Sequence, residues 1–251
     1  MNRASVLGIL IGVSAILGGN FIEGGRIGSI VQGSAAVIVF GGTLGATFLS
    51  FSLRDIRLAA RSLRDIFFDN AMLPEGRSVI REAVNFATKS RRTGMLSLDM
   101  EARGLGYDFF RSAMRLAIDG LDPKMLRNTL ERENLTFEEE KHRAAKVFEA
   151  AGGYAPTTGI IGAVLGLIHV MENLGDPARL GTGIAVAFVA TVYGVGSANL
   201  FFLPMAKKII NNMKHEVFIR EIIIEGVLGI QSGRNPFYLK EYLNSFLSKG
   251  K

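Results

Sequence analysis

Residues 150–171 read AAGGYAPTTGIIGAVLGLIHVM, and this stretch decides the fold class. It contains no Asp, Glu, Lys or Arg, so it offers no charged face at any helical position. A soluble helix keeps one polar face, whereas a helix that crosses a bilayer is apolar all round for about 20 residues. Similar runs occupy residues 4–22, 29–53 and 180–206. The sequence therefore predicts an all-α membrane protein with four transmembrane helices.

The placement of Lys and Arg around these runs predicts their orientation, because basic residues accumulate in the loops that stay in the cytoplasm. The connections 23–28 and 172–179 hold only one arginine each, offset by acids. Basic residues directly follow the second and fourth runs: Arg54, Arg57, Arg61, Arg64, Lys207 and Lys208. We therefore expect both termini to be cytoplasmic and the first run to be a retained span rather than a removed signal peptide.

This topology divides the chain into four regions. They are transmembrane helices one and two (1–53), a cytoplasmic helical domain (54–149), transmembrane helices three and four (150–206) and a cytoplasmic tail (207–251). Within the middle region, Pro123 suits the first turn of a short helix. Residues 136–139, TFEE, form a capping-box pattern, which predicts that a separate helix begins there and runs into span three.

Composition excludes several other classes of protein. There is no cysteine, so disulfides and thiolate metal sites are excluded, and the three histidines are not at metal-ligand spacing. The net charge of +6 is explained by the loops that face the cytoplasm, without a nucleic-acid partner. No nucleophile–base arrangement or phosphate loop occurs, so we expect neither an enzyme nor a bound cofactor.

The spans lack the acidic residue that ion-translocating membrane proteins keep at depth. Two explanations remain open: the protein does not move ions, or a partner supplies the carboxylate.

Small residues on spans three and four predict a close helix contact. Gly162 and Gly166 share one face of span three, and a second face on span four is formed by Ala187, Thr191, Gly194 and Ala198. These faces either form a groove for a partner helix or pack against each other. Pro156 and Pro204, near the cytoplasmic ends of these spans, mark either simple helix kinks or hinges.

Several segments resemble the MotA/PomA family of flagellar stator subunits. They are YAPTTGIIGAVLGLIH (154–169), GTGIAVAFVATVYG (181–194), ANLFFLP (198–204), GSAAVIVFGGTLGATF (33–48) and SRRTGMLSLD (90–99). The resemblance covers nearly the whole chain. It implies a four-span subunit of the bacterial inner membrane that forms a ring, expected to be a homopentamer, around a dimer of MotB-type B subunits. In this family the B subunit carries the ion-binding aspartate, which would account for the missing acid.

The resemblance also assigns roles to individual residues. It implies that Pro156 and Pro204 couple ion flow to movement and that Thr191 places a hydroxyl beside the ion path. The same segments add Thr158 and Ala163 to that path. Sodium-driven relatives tend to carry Thr where this chain has Ala163, and Na⁺ needs several oxygen ligands, so we expect H⁺ to be the transported ion.

The charged segment 90–99 resembles the surface by which the family meets the rotor. Arg91 and Asp99 match the residues that contact the rotor switch protein, FliG. Two other functions fit the sequence less well. An energising subunit like ExbB or TolQ has three spans and a different loop order, and a membrane scaffold with no ion role would not account for the similarity around Pro156 and Thr191.

Overall fold

A computed structural model describes residues 3–67 and 73–249, and every regular element within them is helical. The helices are α1 (Arg3–Ile22), α2 (Ile27–Ile30), α3 (Gly33–Ala36), α4 (Gly42–Ser50), α5 (Leu53–Phe67), α6 (Gly76–Thr93), α7 (Asp99–Arg103), α8 (Asp108–Ile118), α9 (Pro123–Glu172), α10 (Pro177–Ser197), α11 (Leu203–Gln231) and α12 (Pro236–Lys249). A 3-10 turn, Met95–Leu98, precedes α7. Wider π turns join α3 to α4 (Val37–Gly41) and α10 to α11 (Ala198–Phe202).

Four helical stretches within the described residues are long and apolar enough to cross a membrane. They are Ala4–Ile22, Gly33–Ser50, the stretch within Pro123–Glu172 and the stretch within Leu180–Gln231. The predicted all-α fold with four spans is confirmed. The second span begins later than predicted, because an extended residue, Gln32, separates the short α2 from Gly33.

The helix that carries span three differs from the prediction. It is continuous over 50 residues and begins at Pro123, as expected for a proline in a first turn. Asp122 caps it, because its Oδ1 accepts hydrogen bonds from the backbone N–H groups of Lys124 (2.9 Å) and Met125 (3.2 Å). The separate helix predicted to begin at residue 136 is wrong. Thr136 lies inside α9 and its hydroxyl donates to the carbonyl of Arg132, 2.9 Å away.

The first compact unit comprises residues 1–69 and 140–210 and contains the apolar spans. Its buried residues are mostly small. One cluster joins Ala35 and Val39 to Val189 and Ala190, and another joins Ile66 to residues of α9 and α11. Many large apolar side chains remain exposed, for example Leu49 (91%). In a bilayer such exposure carries no hydrophobic penalty, because lipid tails are as apolar as these side chains.

The second compact unit comprises residues 70–139 and 211–251 and has a conventional hydrophobic core. Phe86 of α6 and Phe110 of α8 meet edge to face in this core, with ring centroids 6.2 Å apart. Beside the core, the Tyr107 hydroxyl donates to the Glu216 carboxylate (2.9 Å) and accepts from Arg220 (3.2 Å). Burial, followed by the charge of Glu216, raises the pKa of the Tyr107 phenol. The phenol therefore stays protonated and keeps its role as a donor.

Candidate functional site

Glycines hold the two long spans, α9 and α10, in backbone contact. A Cβ atom placed on Gly159 would lie 2.9 Å from the Ala190 carbonyl oxygen, and one on Gly194 would lie 2.5 Å from the Ala155 carbonyl oxygen. Gly166 is as tightly enclosed, with the Gly183 carbonyl oxygen 2.8 Å from its added Cβ. Small residues allow such approach in membranes, where packing replaces the hydrophobic effect. Of the two explanations left open by the sequence, the contacts favour packing of spans three and four against each other.

Thr191 differs from the other residues predicted to share its face of α10. Ala187, Gly194 and Ala198 are buried, whereas Thr191 is exposed. Its hydroxyl donates to the carbonyl of Ala187 in its own helix, 3.2 Å away. This bond satisfies the proton of the hydroxyl and leaves the oxygen's remaining acceptor capacity on the outer side of the helix.

The exposed side of α10 is otherwise apolar. Four large side chains follow helical spacing beside Thr191: Ile184 (42% exposed), Phe188 (72%), Val192 (48%) and Val195 (46%). In lipid, a partner helix can pack on such an apolar face and make its one polar contact with the hydroxyl at the border of that face.

Thr158 has a different environment from Thr191. Its hydroxyl lies 3.0 Å from the Thr43 hydroxyl, 3.3 Å from the Val39 carbonyl and 2.9 Å from the Ala155 carbonyl. Thr43 is 1% exposed and also donates to the Val39 carbonyl, at 2.6 Å. These contacts connect span two to span three beside a π turn, whose wide geometry changes the positions of its carbonyl groups.

Tyr193 forms a second polar connection that the sequence analysis did not single out. Its hydroxyl donates to the Ile30 carbonyl (2.7 Å) and accepts from the backbone N–H of Gln32 (3.3 Å). Its ring stacks on Phe40 with centroids 5.9 Å apart. The sequence does carry a signal for this connection, namely a tyrosine within an apolar span. A buried phenol needs a hydrogen-bond partner for its hydroxyl.

The two prolines lie in unlike surroundings. Pro156 is half-buried inside α9, which continues through it, and its Cα lies 3.2 Å from the position of an added Gly194 Cβ. Pro204 is exposed and follows the π turn of span four. It lines a groove of about 400 Å³ together with Ala4, Ser5, Gly8, Ile9, Ile66, Asn199, Leu200, Phe201, Met205 and Lys208.

Spans two, three and four contain no carboxylate that could bind a cation through a formal negative charge. Residues 29–53, 150–171 and 180–206 include no Asp, Glu, Lys or Arg. Ala163 is half-buried and its side chain has no hydrogen-bonding atom. Across residues 3–67 and 73–249, no group of three or more His, Cys, Asp or Glu side chains could hold a metal ion.

Arg91 and Asp99, the predicted rotor contacts, lie on either side of a sharp turn in the second unit. Arg91 is exposed in the last turn of α6, which ends at Gly94 with φ of +84°. Asp99 begins α7 and pairs with Arg103 at 2.7 Å. Between these charges, Leu96 is 79% exposed, a feature that the sequence analysis missed. Asp99 and Arg103 also line a polar depression of about 480 Å³ with Ala102, Asp108, Arg111, Ser112, Arg115 and Asp119.

Comparison with known proteins finds similarity along the whole chain. A model described as the MotA/TolQ/ExbB proton channel family matches residues 102–222, and one described as Motility protein A N-terminal matches residues 6–77. The chain is 35% identical to the uncharacterized protein YtxD of Bacillus subtilis, over 97% of this chain and 88% of that protein. It is 34% identical to motility protein A of Borreliella burgdorferi, over 99% of this chain and 95% of that protein.

Two solved structures share the fold. MotAB from C. jejuni has a TM-score of 0.91 and 28% identity, covering 98% of this chain and 96% of that chain. The flagellar MotAB stator complex from Bacillus subtilis has a TM-score of 0.90 and 29% identity, covering 97% of this chain and 96% of that chain.

Proposed function

The chain belongs to the MotA/TolQ/ExbB proton channel family, in its motility protein A branch, and on that premise we propose that it is the ion-conducting A subunit of a flagellar stator. In this role it oligomerises in the bacterial inner membrane around B subunits and converts the flow of protons into torque on the rotor. Both termini and the second unit lie on the cytoplasmic side.

One observation carries this proposal. The spans present an exposed hydroxyl at Thr191 beside an apolar face, but they contain no carboxylate of their own. An ion pathway through a bilayer needs a group that binds and releases the ion at depth. A B subunit packed on the free face of α10 supplies that carboxylate, in keeping with relatives whose structures are described as MotAB complexes.

The proposed mechanism assigns a task to each part of the chain. The glycine contacts around Gly159 and Gly194 keep α9 and α10 together as one rigid pair. Thr191 offers an oxygen to the ion or to its water as the partner's carboxylate is loaded. Loading neutralises that carboxylate and changes the contacts it prefers, so the ring advances by a step. The driving force is adequate, because one charge that crosses about 100 mV releases about 2.3 kcal/mol.

Pro156 and Pro204 serve in this scheme as the points at which the long helices bend. Proline removes one backbone hydrogen bond and so lowers the cost of bending at that position. Arg91 and Asp99 then transmit the step through charge contacts to the rotor switch protein, FliG. Thr158 also belongs to the predicted ion path. Its contacts with Thr43 and Val39 favour a structural role, in which it joins span three to span two.

We propose protons as the transported ion on the basis of Ala163. A dehydrated sodium ion needs several oxygen ligands, and a methyl side chain offers none. A proton needs only one carboxylate. The energising role of the ExbB and TolQ branch is less well supported, because the N-terminal model that matches residues 6–77 is that of motility protein A.

The direct test is swimming in a host that lacks its own stator and expresses this chain with its B subunit. Speed that persists without sodium and collapses with a protonophore supports a proton-driven stator. Speed that scales with sodium would keep the stator assignment and overturn the argument from Ala163. Absence of swimming, with the complex inserted in the membrane, would contradict the stator assignment itself.

Thr191→Ala tests the assignment of the hydroxyl. Because this hydroxyl bonds within its own helix, its loss should slow swimming strongly without dissociating the complex. Thr136→Ala is a matched control, since Thr136 is also exposed and also bonds the carbonyl four residues back. Equal swimming by both variants would remove Thr191 from the ion path.

A further inference from the structure

The helix that follows span two, α5, has an unusual distribution of charge. Its sequence, LRDIRLAARSLRDIF, contains four arginines and two aspartates. Arg54, Arg57, Arg61 and Arg64 are all exposed and recur at the spacing of one helical face. Residues of the other face are buried, including Ala59 and Ile66.

The beginning of α5 is fixed by an N-cap serine at the end of span two. The Ser52 hydroxyl accepts a hydrogen bond from the Asp55 backbone N–H (3.2 Å) and donates to the Asp55 carboxylate (2.6 Å). Asp55 also lies 3.7 Å from Arg143 and is only 20% exposed. Asp55 is therefore held by the cap and by Arg143 of α9, whereas Glu140 approaches the arginine face, 3.7 Å from Arg54.

The packing of α5 places it where the spans leave the membrane. Span two ends at Ser50, three residues before α5 begins. The buried face of α5 contacts Ala144 and Val147, just before span three, and Ala206, at the end of span four. A helix tied to three spans at their ends stays at the level where those spans leave the bilayer, within reach of the lipid headgroups.

The neighbouring segments add to the positive charge at this level. Residues 53–67, 140–149 and 203–210 together hold nine Lys or Arg and four Asp or Glu. Exposed Lys146 and Lys207 belong to this set. Anionic phosphates attract such clusters, and Arg binds a phosphate with two parallel hydrogen bonds.

We propose that the arginine face of α5 is a binding surface for the headgroup phosphates of anionic lipids, such as phosphatidylglycerol. The lipids bound there stabilise the assembled protein and hold α5 against the bilayer. This role is separate from ion conduction, because none of the α5 arginines lies in the predicted ion path. Each arginine near an anionic surface strengthens binding by about fivefold, so removal of two charges weakens it by roughly 30-fold.

The test compares the melting temperature of the full complex with its B subunit in phosphatidylcholine nanodiscs, with and without phosphatidylglycerol. A lipid that binds only the folded state raises the melting temperature by mass action. We expect phosphatidylglycerol to raise it for the native chain and to lose most of that effect in the double variant Arg57→Gln/Arg61→Gln. Arg57→Lys/Arg61→Lys, which keeps the charge, should retain most of the effect.

The matched control is Arg77→Gln/Arg81→Gln, which removes two exposed arginines with the same spacing from α6 in the second unit. It should keep the full response to phosphatidylglycerol. The proposal is overturned if the α5 variant responds like the native chain, or if the control loses the response equally. An equal effect of inorganic phosphate on the native chain would identify a free-phosphate site instead. Dissociation of the α5 variant in phosphatidylcholine would show that the arginines bind a neighbouring subunit.

Discussion

The packing of α9 against α10 makes Gly194→Ala a sharp test of the structure. An added Cβ at this position would lie 2.5 Å from the Ala155 carbonyl oxygen and 3.2 Å from the Pro156 Cα. Ordinary contacts of a Cβ begin at 3.4 Å. The two helices would have to separate by about 0.9 Å at this point, because the obstacle is backbone and cannot rotate away.

The expected cost follows from two opposing effects. Overpacking of a tight contact destabilises by about 1–3 kcal/mol. Alanine in place of glycine favours the helix by about 1 kcal/mol. Gly196→Ala, two residues further along α10, isolates the second effect, because apart from its own helix backbone no described atom lies within 4 Å of its added Cβ. Gly194→Ala should therefore be less stable than Gly196→Ala by about 1–3 kcal/mol.

The assay is thermal unfolding of the two variant complexes in the same detergent. For a chain of this size, 1 kcal/mol corresponds to about 2–4 °C. The Gly194→Ala complex should therefore melt about 2–12 °C below the Gly196→Ala complex. Equal melting temperatures would refute the close backbone contact between spans three and four.

Three further predictions concern hydrogen bonds and charges. Thr158→Val should lower the melting temperature of the complex, because it removes the hydroxyl that joins span three to Thr43 and Val39 of span two, whereas Thr158→Ser should preserve it. Arg91→Glu and Asp99→Lys should each reduce swimming speed, and a compensating charge change in FliG should restore part of it; Arg91→Lys should swim normally. Tyr107→Phe should destabilise the protein by about 1–3 kcal/mol, since it removes the hydrogen bonds that the hydroxyl makes to two charged partners, Glu216 and Arg220. Tyr238→Phe, at a position 70% exposed, should have no effect on unfolding.

The four spans could be predicted from the sequence because their signal is the sum of about 20 residues and does not depend on any one contact. The bounds of the long helices could not. The pattern at residues 136–139 is the same in a helix interior as at a helix start, since Thr136 can bond either forward as a cap or backward to Arg132. Tertiary contacts, which the local pattern does not contain, decide between the two.

Thr158 and Thr191 illustrate the same limit within the candidate site. Both are threonines in apolar spans, and both were assigned to the ion path by resemblance. Within the described residues, the hydroxyl of Thr158 meets four oxygens, two of them from span two, whereas that of Thr191 bonds a carbonyl of its own helix. A hydroxyl's role in lipid depends on which neighbouring helix it meets, and that arrangement follows from the glycine contacts rather than from the threonine itself.

The π turn at Ala198–Phe202 separates Pro204 from the part of span four that follows the spacing of an α-helix. A π turn adds one residue to a helical turn, which rotates every later residue by about 100° relative to an ideal α-helix. Ala187 and Ala198 precede or begin the turn, and both are buried as their spacing predicts. Pro204 follows it and is exposed in the groove beside α1. Proline also leaves the carbonyl four residues back without its donor. The hinge proposed at Pro204 therefore includes the wide turn, since both features weaken the same segment of span four.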